Sequence, residues 1–350
     1  GAKSKLVAAG YPECVMEFTY DHQQHRRGLI IDKRLGNIIK VDRHKYCRVA
    51  YHGSRRLNTE QRKDAYVGVA DETPTFVGSD YVNVDSLFQL VDASLYAQLV
   101  DVLDSNSTLK KSYARAYADV RHAVDMCHHD GVIKDRVAED PAKYIWHDDD
   151  LVRMLKQFRA AGKKVFLLTN SLFDYTNVVM NFVTRAPVES REWLDLFDVT
   201  VVGACKPAYL GEARRDMYRI DTESNLGTLH NLKGAPVGEV GAEAFMKREG
   251  RVFQGGSWRD LHGMLELKSG SQLLYVGDHM YSDVVRSKRS LGWRTTLIIP
   301  ELDFELKVGY RTAGTIMELA THSAEYDQAE IEADSIRLEL LSSSDEDLQT

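Results

Sequence analysis

The stretch 275–283 constrains the fold of this chain more than any other. An apolar run of strand length, Leu273–Val276, ends at Gly277, and Asp278 and Asp283 follow at the start of a helical pattern. Carboxylates that follow a buried strand lie where α/β sheets bind ligands, and their oxygens are ligands that Mg²⁺ prefers. Taken alone, the stretch favours a simpler interpretation, in which one aspartate caps the helix and the other lies in solvent.

Length and composition exclude several classes of protein. The 350 residues are enough for two domains or for one large domain with an insert, and 43% hydrophobic with 28% charged residues is ordinary for a globular protein. A net charge of −7 gives no basic surface for a nucleic acid polymer. No apolar stretch approaches the ~18 residues that span a membrane.

The cysteines and the first residues bear on the compartment. The 4 cysteines show no CxxC spacing, which argues against a zinc site or a disulfide framework and fits a reducing compartment. Gly1–Ser4 resembles neither a signal nor a transit peptide. We therefore expect a cytoplasmic protein, although its true N-terminus is expected to be missing.

The hydrophobic pattern predicts two kinds of structure. The first half predicts a hairpin over 28–42 and helices over 84–102 and 109–129, separated by a polar connection. The second half alternates between the two element types, which predicts a parallel sheet covered by helices. Its predicted strands are 164–168, 197–202, 273–276 and 295–299, and its predicted helices are 150–160, 175–183 and 284–291.

Polar clusters follow three of these predicted strands. They are Thr169-Asn170-Ser171, then Lys206, then Asp278 with Asp283. Hydroxyls and N–H groups at the start of a helix suit an anion, and a lysine neutralises a phosphate. Each cluster alone has an ordinary explanation as a helix cap or a surface charge, but chance explains their common position poorly.

These clusters carry a resemblance to known proteins. Leu168–Ser171, Lys206-Pro207 and Gly277–Asp283 resemble motifs II, III and IV of the haloacid dehalogenase superfamily. Segments elsewhere in 5–310 resemble the purine (IMP/GMP-preferring) cytosolic 5′-nucleotidase family. Those segments are Gly28–Asp42, Arg121–His128, Tyr275–Lys288 and Gly292–Thr295.

The resemblance implies an α/β fold, a haloacid-dehalogenase-like Rossmannoid parallel sheet with an inserted, mainly helical cap. Its predicted parts are a core of 1–56 and 136–310, a cap of 57–135, a helical segment 311–341 and a disordered acidic tail 342–350. It also implies roles in the core: Thr169, Asn170 and Ser171 at the phosphate, Lys206 stabilising its charge, Asp278 on Mg²⁺ and Asp283 orienting the site.

In the cap, the resemblance implies that Phe88 stacks on the base, while Arg121, Asp125, His128 and Lys134 contact its edge or approach the phosphate. The residues themselves are compatible with this. Arg121, Asp125 and His128 are spaced to share one helical face, and an Arg–Asp pair beside an aromatic ring suits an oxo-purine. The alternatives are a surface ion pair worth ~0.3–0.5 kcal/mol and a phenylalanine that belongs to the core.

The superfamily's first motif, a strand ending in Asp-x-Asp-x-Thr/Val, was not found. It carries the nucleophile and the acid/base. Asp101 and Asp104 have the wrong spacing, and neither Asp32 nor Asp42 has a partner two residues later. We therefore expect a fragment, or an incomplete gene product, that has lost the segment before Lys5 and releases no phosphate by itself.

Three functions are open at this point. The first is a Mg²⁺-dependent 5′-nucleotidase that hydrolyses purine nucleoside 5′-monophosphates through an aspartyl-phosphate. The second is a non-catalytic nucleotide-binding or scaffolding relative, and the third is a phosphatase of the same fold for another small phosphate ester. The resemblance is also compatible with a homo-oligomer.

Overall fold

The computed structural model describes residues 1–67, 75–224 and 226–346. By packing, the chain divides into two units, Gly1–Thr296 and Leu297–Thr350. The first unit contains three sheets and thirteen of the helices described below. It carries every residue for which the sequence predicts a role.

The first sheet is antiparallel and has the strand order β4-β3-β2-β1-β5. Its strands are β1 Leu29–Asp32, β2 Asn37–Val41, β3 Cys47–His52, β4 Arg55–Arg56 and β5 Tyr81–Val84. The predicted hairpin is confirmed, because β1 and β2 pair with Ile31 opposite Ile38. The strand β5 was not predicted, and it pairs with the other side of β1.

Two long helices pack against this sheet. The helices of the first half are α1 Ala2–Ala8, α2 Thr59–Tyr66, α3 Leu87–Ser105, α4 Tyr113–His129, α5 Val132–Glu139 and α6 Pro141–Tyr144. The start of α3 is a capping box, in which the Ser86 hydroxyl and the Gln89 side chain accept from each other's backbone N–H groups. This cap fixes where Phe88 and the rest of the first turn lie.

The predicted domain boundaries, which group 1–56 with 136–310, stay a prediction beside the observed packing of residues 1–56. One apolar core joins elements from both sides of the predicted boundary at residue 57. Its members include Leu6, Ile31, Leu99, Val100, Ala116 and Val120, all of them 0% exposed. The physical reason is the hairpin, whose apolar face is covered by α3 and α4. The segment 1–56 therefore packs with the helices that carry the predicted base-binding residues.

The second sheet has the order β6-β7-β10-β8-β9. Its strands are β6 Phe166–Leu168, β7 Val199–Val202, β8 Met217–Asp221, β9 Thr228–Asn231 and β10 Val252–Gly255. The strands β6, β7 and β10 are parallel, whereas β8 and β9 form an antiparallel extension. All four residues of β7 are buried, as expected of an inner strand.

The remaining strands, β11 Leu274–Gly277 and β12 Arg294–Leu297, form a separate two-stranded sheet. The sequence predicted one continuous parallel sheet, so this prediction holds only in part. Within the described residues, β6 has a strand partner on one side and β11 pairs with β12 alone. Leu274 and Val276 are 56% and 53% exposed, which is unusual for apolar residues of a strand.

Helices surround these strands. They are α7 Asp149–Ala160, α8 Phe173–Thr184, α9 Ala208–Gly211, α10 Val237–Val240, α11 Ala242–Glu249, α12 Trp258–Leu265 and α13 Arg286–Leu291, with a π-helical turn over Met280–Val285. The turn connects β11 to α13. It therefore places the second aspartate of the opening motif.

The second unit is dominated by α14, Pro300–Glu346, a helix of 47 residues. It includes the predicted helical segment 311–341 and continues through 342–346, which was predicted to be disordered. No Gly or Pro interrupts 315–346, so the backbone has no strong reason to end the helix earlier. Residues 347–350 lie outside the described residues. In the described part of the chain, no helix is sufficiently long and apolar to traverse a membrane.

Candidate phosphate and nucleotide-base site

The ammonium group of Lys206 connects the ends of two strands that belong to different sheets. It donates to Asp283 Oδ1 at 2.9 Å and to the Tyr275 hydroxyl at 2.8 Å. The Lys206 and Asp283 side chains are only 13% and 5% exposed. Burial and the carboxylate of Asp283 raise the pKa of Tyr275, so its phenol stays protonated. The result is a cation in a fixed position at the carboxyl ends of β7 and β11.

The backbone after β11 holds the Asp283 carboxylate in place. The His279 N–H donates to Asp283 Oδ2 at 3.3 Å, and the Asp283 N–H donates to the His279 carbonyl at 3.0 Å. Only glycine fits at position 277 without a steric clash, because a Cβ there would lie 2.6 Å from Asp283 Oδ2. The Gly-Asp-x-x-x-x-Asp pattern thus has a steric explanation at its first position and a hydrogen-bonding explanation at its last.

The loops after β6 and β7 are hydrogen-bonded to each other. Asn170 accepts from the Lys206 N–H at 2.6 Å and donates to the Lys206 carbonyl at 3.1 Å. The Thr169 hydroxyl accepts from the Ser171 N–H at 3.1 Å. Asn170, predicted to contact the substrate, therefore positions the lysine loop in this structure, while Thr169 and Ser171 lie beside it at the strand end.

Asp278 is exposed and has no hydrogen-bond partner among the described residues. Mg²⁺ is bound through one or two carboxylates together with waters and substrate phosphate. The nearby Asp283 is occupied by Lys206 and Tyr275. Across the described ranges, no three His, Cys, Asp or Glu side chains form a metal-binding group. The residues present therefore do not complete a Mg²⁺ site, and Asp278 remains a single predicted ligand.

The predicted base-binding residues of α3 and α4 lie together. Arg121 donates through Nε to both oxygens of Asp125, at 3.1 and 3.2 Å, and through Nη2 at 2.5 Å. This contact lowers the pKa of Asp125. Phe88 and His128 face each other edge-on, with ring centroids 5.9 Å apart. The Phe88 ring is 61% exposed, so it does not belong to the core.

Lys134 lies apart from this group. It is on α5, and its Nζ lies 5.7 Å from the centre of the Tyr175 ring on α8, the helix that follows β6. Lys134 thus lies on the side of the strand ends, where the phosphate is predicted to bind. The other four residues line the α3–α4 surface.

Asp85 links the two groups of residues. It immediately precedes the capping box of α3 and interacts electrostatically with His279, which lies between Asp278 and the π-helical turn. Burial raises the pKa of Asp85 while His279 opposes that shift. The first turn of α3 is therefore close to the loop that holds Asp283.

Comparison with known proteins identifies the family of this chain. The sequence profile described as "5′ nucleotidase family" matches residues 1–349. The chain belongs to the 5′ nucleotidase family. The resemblance inferred from the strand-end motifs is thereby confirmed at the level of the family.

Two curated members of the 5′ nucleotidase family align with most of this chain. The human "5′-nucleotidase domain-containing protein 2" is 28% identical over 309 residues, which cover 85% of this chain and 55% of the human protein. The rat protein of the same name is 28% identical over 307 residues, covering 85% and 52%. The chain thus spans about half the length of the curated relatives it matches.

The Asp-x-Asp-x-Val string does occur once in this family member, at Asp148–Val152. The string was not recognised among the candidate motifs. The structure explains why it does not act as the first motif, because Asp148 is the N-cap of α7 and accepts from the Asp150 N–H at 2.9 Å. Asp149 pairs with Arg185. These aspartates begin a helix and do not end a strand.

Two further residues of the site were not predicted. Tyr275 was assigned only to a strand, although a hydroxyl in an apolar run is a signal for a buried hydrogen bond. Asp92 was also missed. It lies on α3 one turn after Phe88, is 0% exposed, and accepts from Arg121. A charge inside the apolar stripe of α3 was the signal for it.

Proposed function

We propose that this chain is part of a 5′-nucleotidase that hydrolyses purine nucleoside 5′-monophosphates of the IMP and GMP type. The observation that carries the proposal is the Lys206 ammonium, held by Asp283 and Tyr275 at the carboxyl ends of two strands. A cation with a fixed position stabilises the charge of a phosphoryl group without reorganising during the reaction. Thr169 and Ser171 would add hydroxyl and N–H donors to the phosphate oxygens.

The nucleophile would come from a strand that these 350 residues do not contain. In support, β6 and β11 each lack a strand partner on one side within the described residues. The rings of Phe166 in β6 and Tyr275 in β11 are stacked with centroids 6.2 Å apart. A strand paired with both edges would cover the exposed Leu274 and Val276. Its terminal carboxylates would lie beside Lys206 and Asp278.

The proposed reaction has two steps. A carboxylate oxygen attacks phosphorus, the bond to the nucleoside 5′ oxygen breaks, and a second carboxyl group donates its proton to that oxygen. Water then cleaves the aspartyl-phosphate and releases phosphate. Asp278, with the carboxylates of the further strand, would hold Mg²⁺, which neutralises phosphate charge when bound. Lys206 and Thr169 hold the phosphoryl group throughout.

The cap supplies the choice of nucleotide in this proposal. The exposed Phe88 ring provides a stacking surface, Arg121 provides N–H donors and Asp125 provides an acceptor. An oxo-purine offers the complementary acceptor and donor on its edge. The electrostatic interaction between Asp85, which precedes α3, and His279 supports a single ligand that reaches from this surface to Lys206.

The test compares this chain with a protein that also contains the Asp-x-Asp-x-Thr/Val strand. We expect Mg²⁺-dependent phosphate release from IMP by the longer protein and none by this chain. Lys206→Met should abolish release, whereas Lys156→Met on the exposed side of α7 should leave it unchanged. Unchanged IMP hydrolysis in Arg121→Ala would refute the purine assignment and leave a phosphatase for another phosphate ester.

A non-catalytic nucleotide-binding protein is the second candidate. It is favoured by the single predicted Mg²⁺ ligand and by the helical position of the only Asp-x-Asp-x-Val string. This candidate requires IMP to bind with no phosphate released by the longer protein. Phosphate release from IMP by the longer protein, lost in Lys206→Met, would exclude it.

A further inference from the structure

Arg121 lies between two carboxylates that differ in their exposure to solvent. Asp125, on the same helix, is 63% exposed, whereas Asp92, on α3, is 0% exposed. Arg121 uses Nε and Nη2 for Asp125 and Nη1 for Asp92. The i,i+4 pair predicted from the sequence is therefore only the outer half of the arrangement.

The inner half is the more strongly constrained. Asp92 Oδ2 accepts from Arg121, and Asp92 Oδ1 is buried without a hydrogen-bond partner among the residues that the structure describes. A buried carboxylate that has lost its cation is strongly destabilising, so Arg121 cannot leave Asp92 at low cost. Burial also raises the pKa of Asp92 while Arg121 opposes the shift.

The outer pair, Arg121 with Asp125, can be replaced at low cost by a contact between Asp125 and a ligand. An exposed i,i+4 ion pair is worth only ~0.3–0.5 kcal/mol, and the Asp125 side chain is open to solvent. A ligand that offers an N–H donor can therefore take the place of Arg121 at Asp125. The guanidinium would stay where Asp92 holds it.

The residues are arranged in two layers between α3 and α4. The rim contains Phe88, Asp125 and His128, which are exposed, and the floor contains Arg121 and Asp92. Phe88 and Asp92 are one helical turn apart and so share a face of α3. The floor thus fixes a cationic donor at Asp92, one helical turn along α3 from the aromatic ring of the rim.

We propose that Asp92 is a positioning residue that holds the Arg121 guanidinium as a fixed donor beside Phe88 and so selects oxo-purine over amino-purine nucleotides. The inference rests on the proposed function and names a specificity determinant within it. Hypoxanthine and guanine present an acceptor oxygen at the 6 position, whereas adenine presents an amino donor there. An N–H donor held in one position therefore favours hypoxanthine and guanine and disfavours adenine.

The experiment measures binding of IMP and AMP to this chain by calorimetry, with thermal unfolding recorded for each variant. Asp92→Asn keeps the shape of the side chain and removes its charge. We expect IMP affinity to fall about tenfold, a loss of one good hydrogen bond to a charged group, and AMP affinity to stay within about twofold. The IMP-to-AMP preference should therefore fall by a similar factor.

Asp119→Asn is the matched control. Asp119 is a buried aspartate of α4 that binds Lys111 and Tyr11, away from the α3–α4 rim. It should reduce the unfolding temperature and leave the IMP-to-AMP preference unchanged. A purely structural role for Asp92 would give the same result as Asp119→Asn, since lost stability does not alter a ratio of affinities.

The outcomes separate the two proposals. A wild-type chain that prefers IMP, together with an Asp92→Asn variant of unchanged preference, would overturn the role of Asp92 and leave the purine site intact. A wild-type chain that binds neither nucleotide would overturn the purine site and the role of Asp92 with it. If Asp92→Asn is unfolded, Asp92→Ala, which also removes the carboxylate, tests the same ratio, and an unchanged preference in that folded variant counts against the role.

Discussion

Lys206 Nζ lies 2.9 Å from Asp283 Oδ1, although 77 positions separate the two residues. Each side chain follows a strand, and the strands belong to different sheets. The pair is almost completely buried, and Tyr275 hydrogen-bonds to both members. This contact joins the second sheet to the two-stranded sheet of β11 and β12, at the strand ends that carry the predicted phosphate-binding residues.

The buried position of this pair predicts a large effect on stability. In Lys206→Met the Asp283 carboxylate stays buried with Tyr275 and the His279 N–H as its remaining donors. Loss of one member of a buried ion pair costs ~3–5 kcal/mol. We expect a decrease of this order in the free energy of unfolding, measured by urea denaturation of the chain.

The control for that prediction is another lysine in an ion pair. Lys164 binds Glu266 at 2.8 Å, but the two side chains are 47% and 65% exposed. Lys164→Met should therefore change the free energy of unfolding far less, because solvent screens exposed pairs. Equal losses in the two variants would contradict a special role for the buried pair.

Gly277 gives a second prediction, on the geometry of the same carboxylate. A Cβ at this position would lie 2.6 Å from Asp283 Oδ2 and 2.7 Å from Asp283 Cβ. Gly277→Ala should destabilise the chain by ~1–3 kcal/mol, the usual cost of overpacking. Urea denaturation measures the loss. In the longer protein of the proposed function, the displaced Asp283 should also reduce phosphate release.

Gly314 is the matched control for Gly277. It lies inside α14, and nothing is within 4 Å of the position of its Cβ. Gly314→Ala should stabilise the helix by ~0.5–1 kcal/mol, because alanine has the higher helix propensity. Loss of stability in both variants would show that the contact with Asp283 is not the cause.

Phe88 gives a prediction on nucleotide binding. The ring is 61% exposed and packs edge-on against His128, so little buried area is lost in Phe88→Ala. Stacking of a base on an aromatic side chain is worth ~1–3 kcal/mol. We expect IMP affinity to fall by about 5- to 150-fold with little change in the unfolding temperature.

Phe158 serves as the control for that variant. It lies on α7 and is 47% exposed, with no predicted role in binding. Phe158→Ala should leave IMP affinity unchanged. If both variants bind IMP as tightly as the wild type, the Phe88 ring does not stack on the base.

Much of the core was predictable because its elements follow local patterns. The helices α3, α4 and α7 and the strands β6, β7 and β11 were predicted within a few residues, since apolar spacing and capping residues are properties of nearby sequence. Lys206 and Asp283 were singled out because both follow strands. The structure brings them into contact, as their common position predicts.

The rest depends on partners that are distant in sequence. Strand β5 is only four residues long and is stabilised by its pairing with β1, which no local signal specifies. The role of Asp92 was not predicted because it depends on a contact with Arg121, which lies on another helix. The boundary at residue 57 stays a prediction, and the packing of α3 and α4 with the hairpin is a contact that periodicity alone does not predict.

His262 has a pKa that folding lowers, because the ring is partly buried. Its Nε2 accepts a hydrogen bond from the Trp293 indole N–H at 2.8 Å, which requires that nitrogen to be unprotonated. The unfolded chain therefore binds the proton more readily than the folded chain. The contribution of neutral His262 to the free energy of unfolding is fully present above the unfolded histidine pKa of ~6.5. It is lost as the pH falls from that value towards the folded pKa.

The variant His262→Gln should remove part of this dependence on pH. Glutamine can accept from the Trp293 N–H and does not titrate, so the free energy of unfolding should fall less between pH 7 and pH 5 than it does in the wild type. Urea denaturation followed by tryptophan fluorescence measures it. Some dependence should remain, because burial also lowers the pKa of His25. An identical slope in His262→Gln and the wild type would mean that the Trp293 contact does not control the protonation of His262.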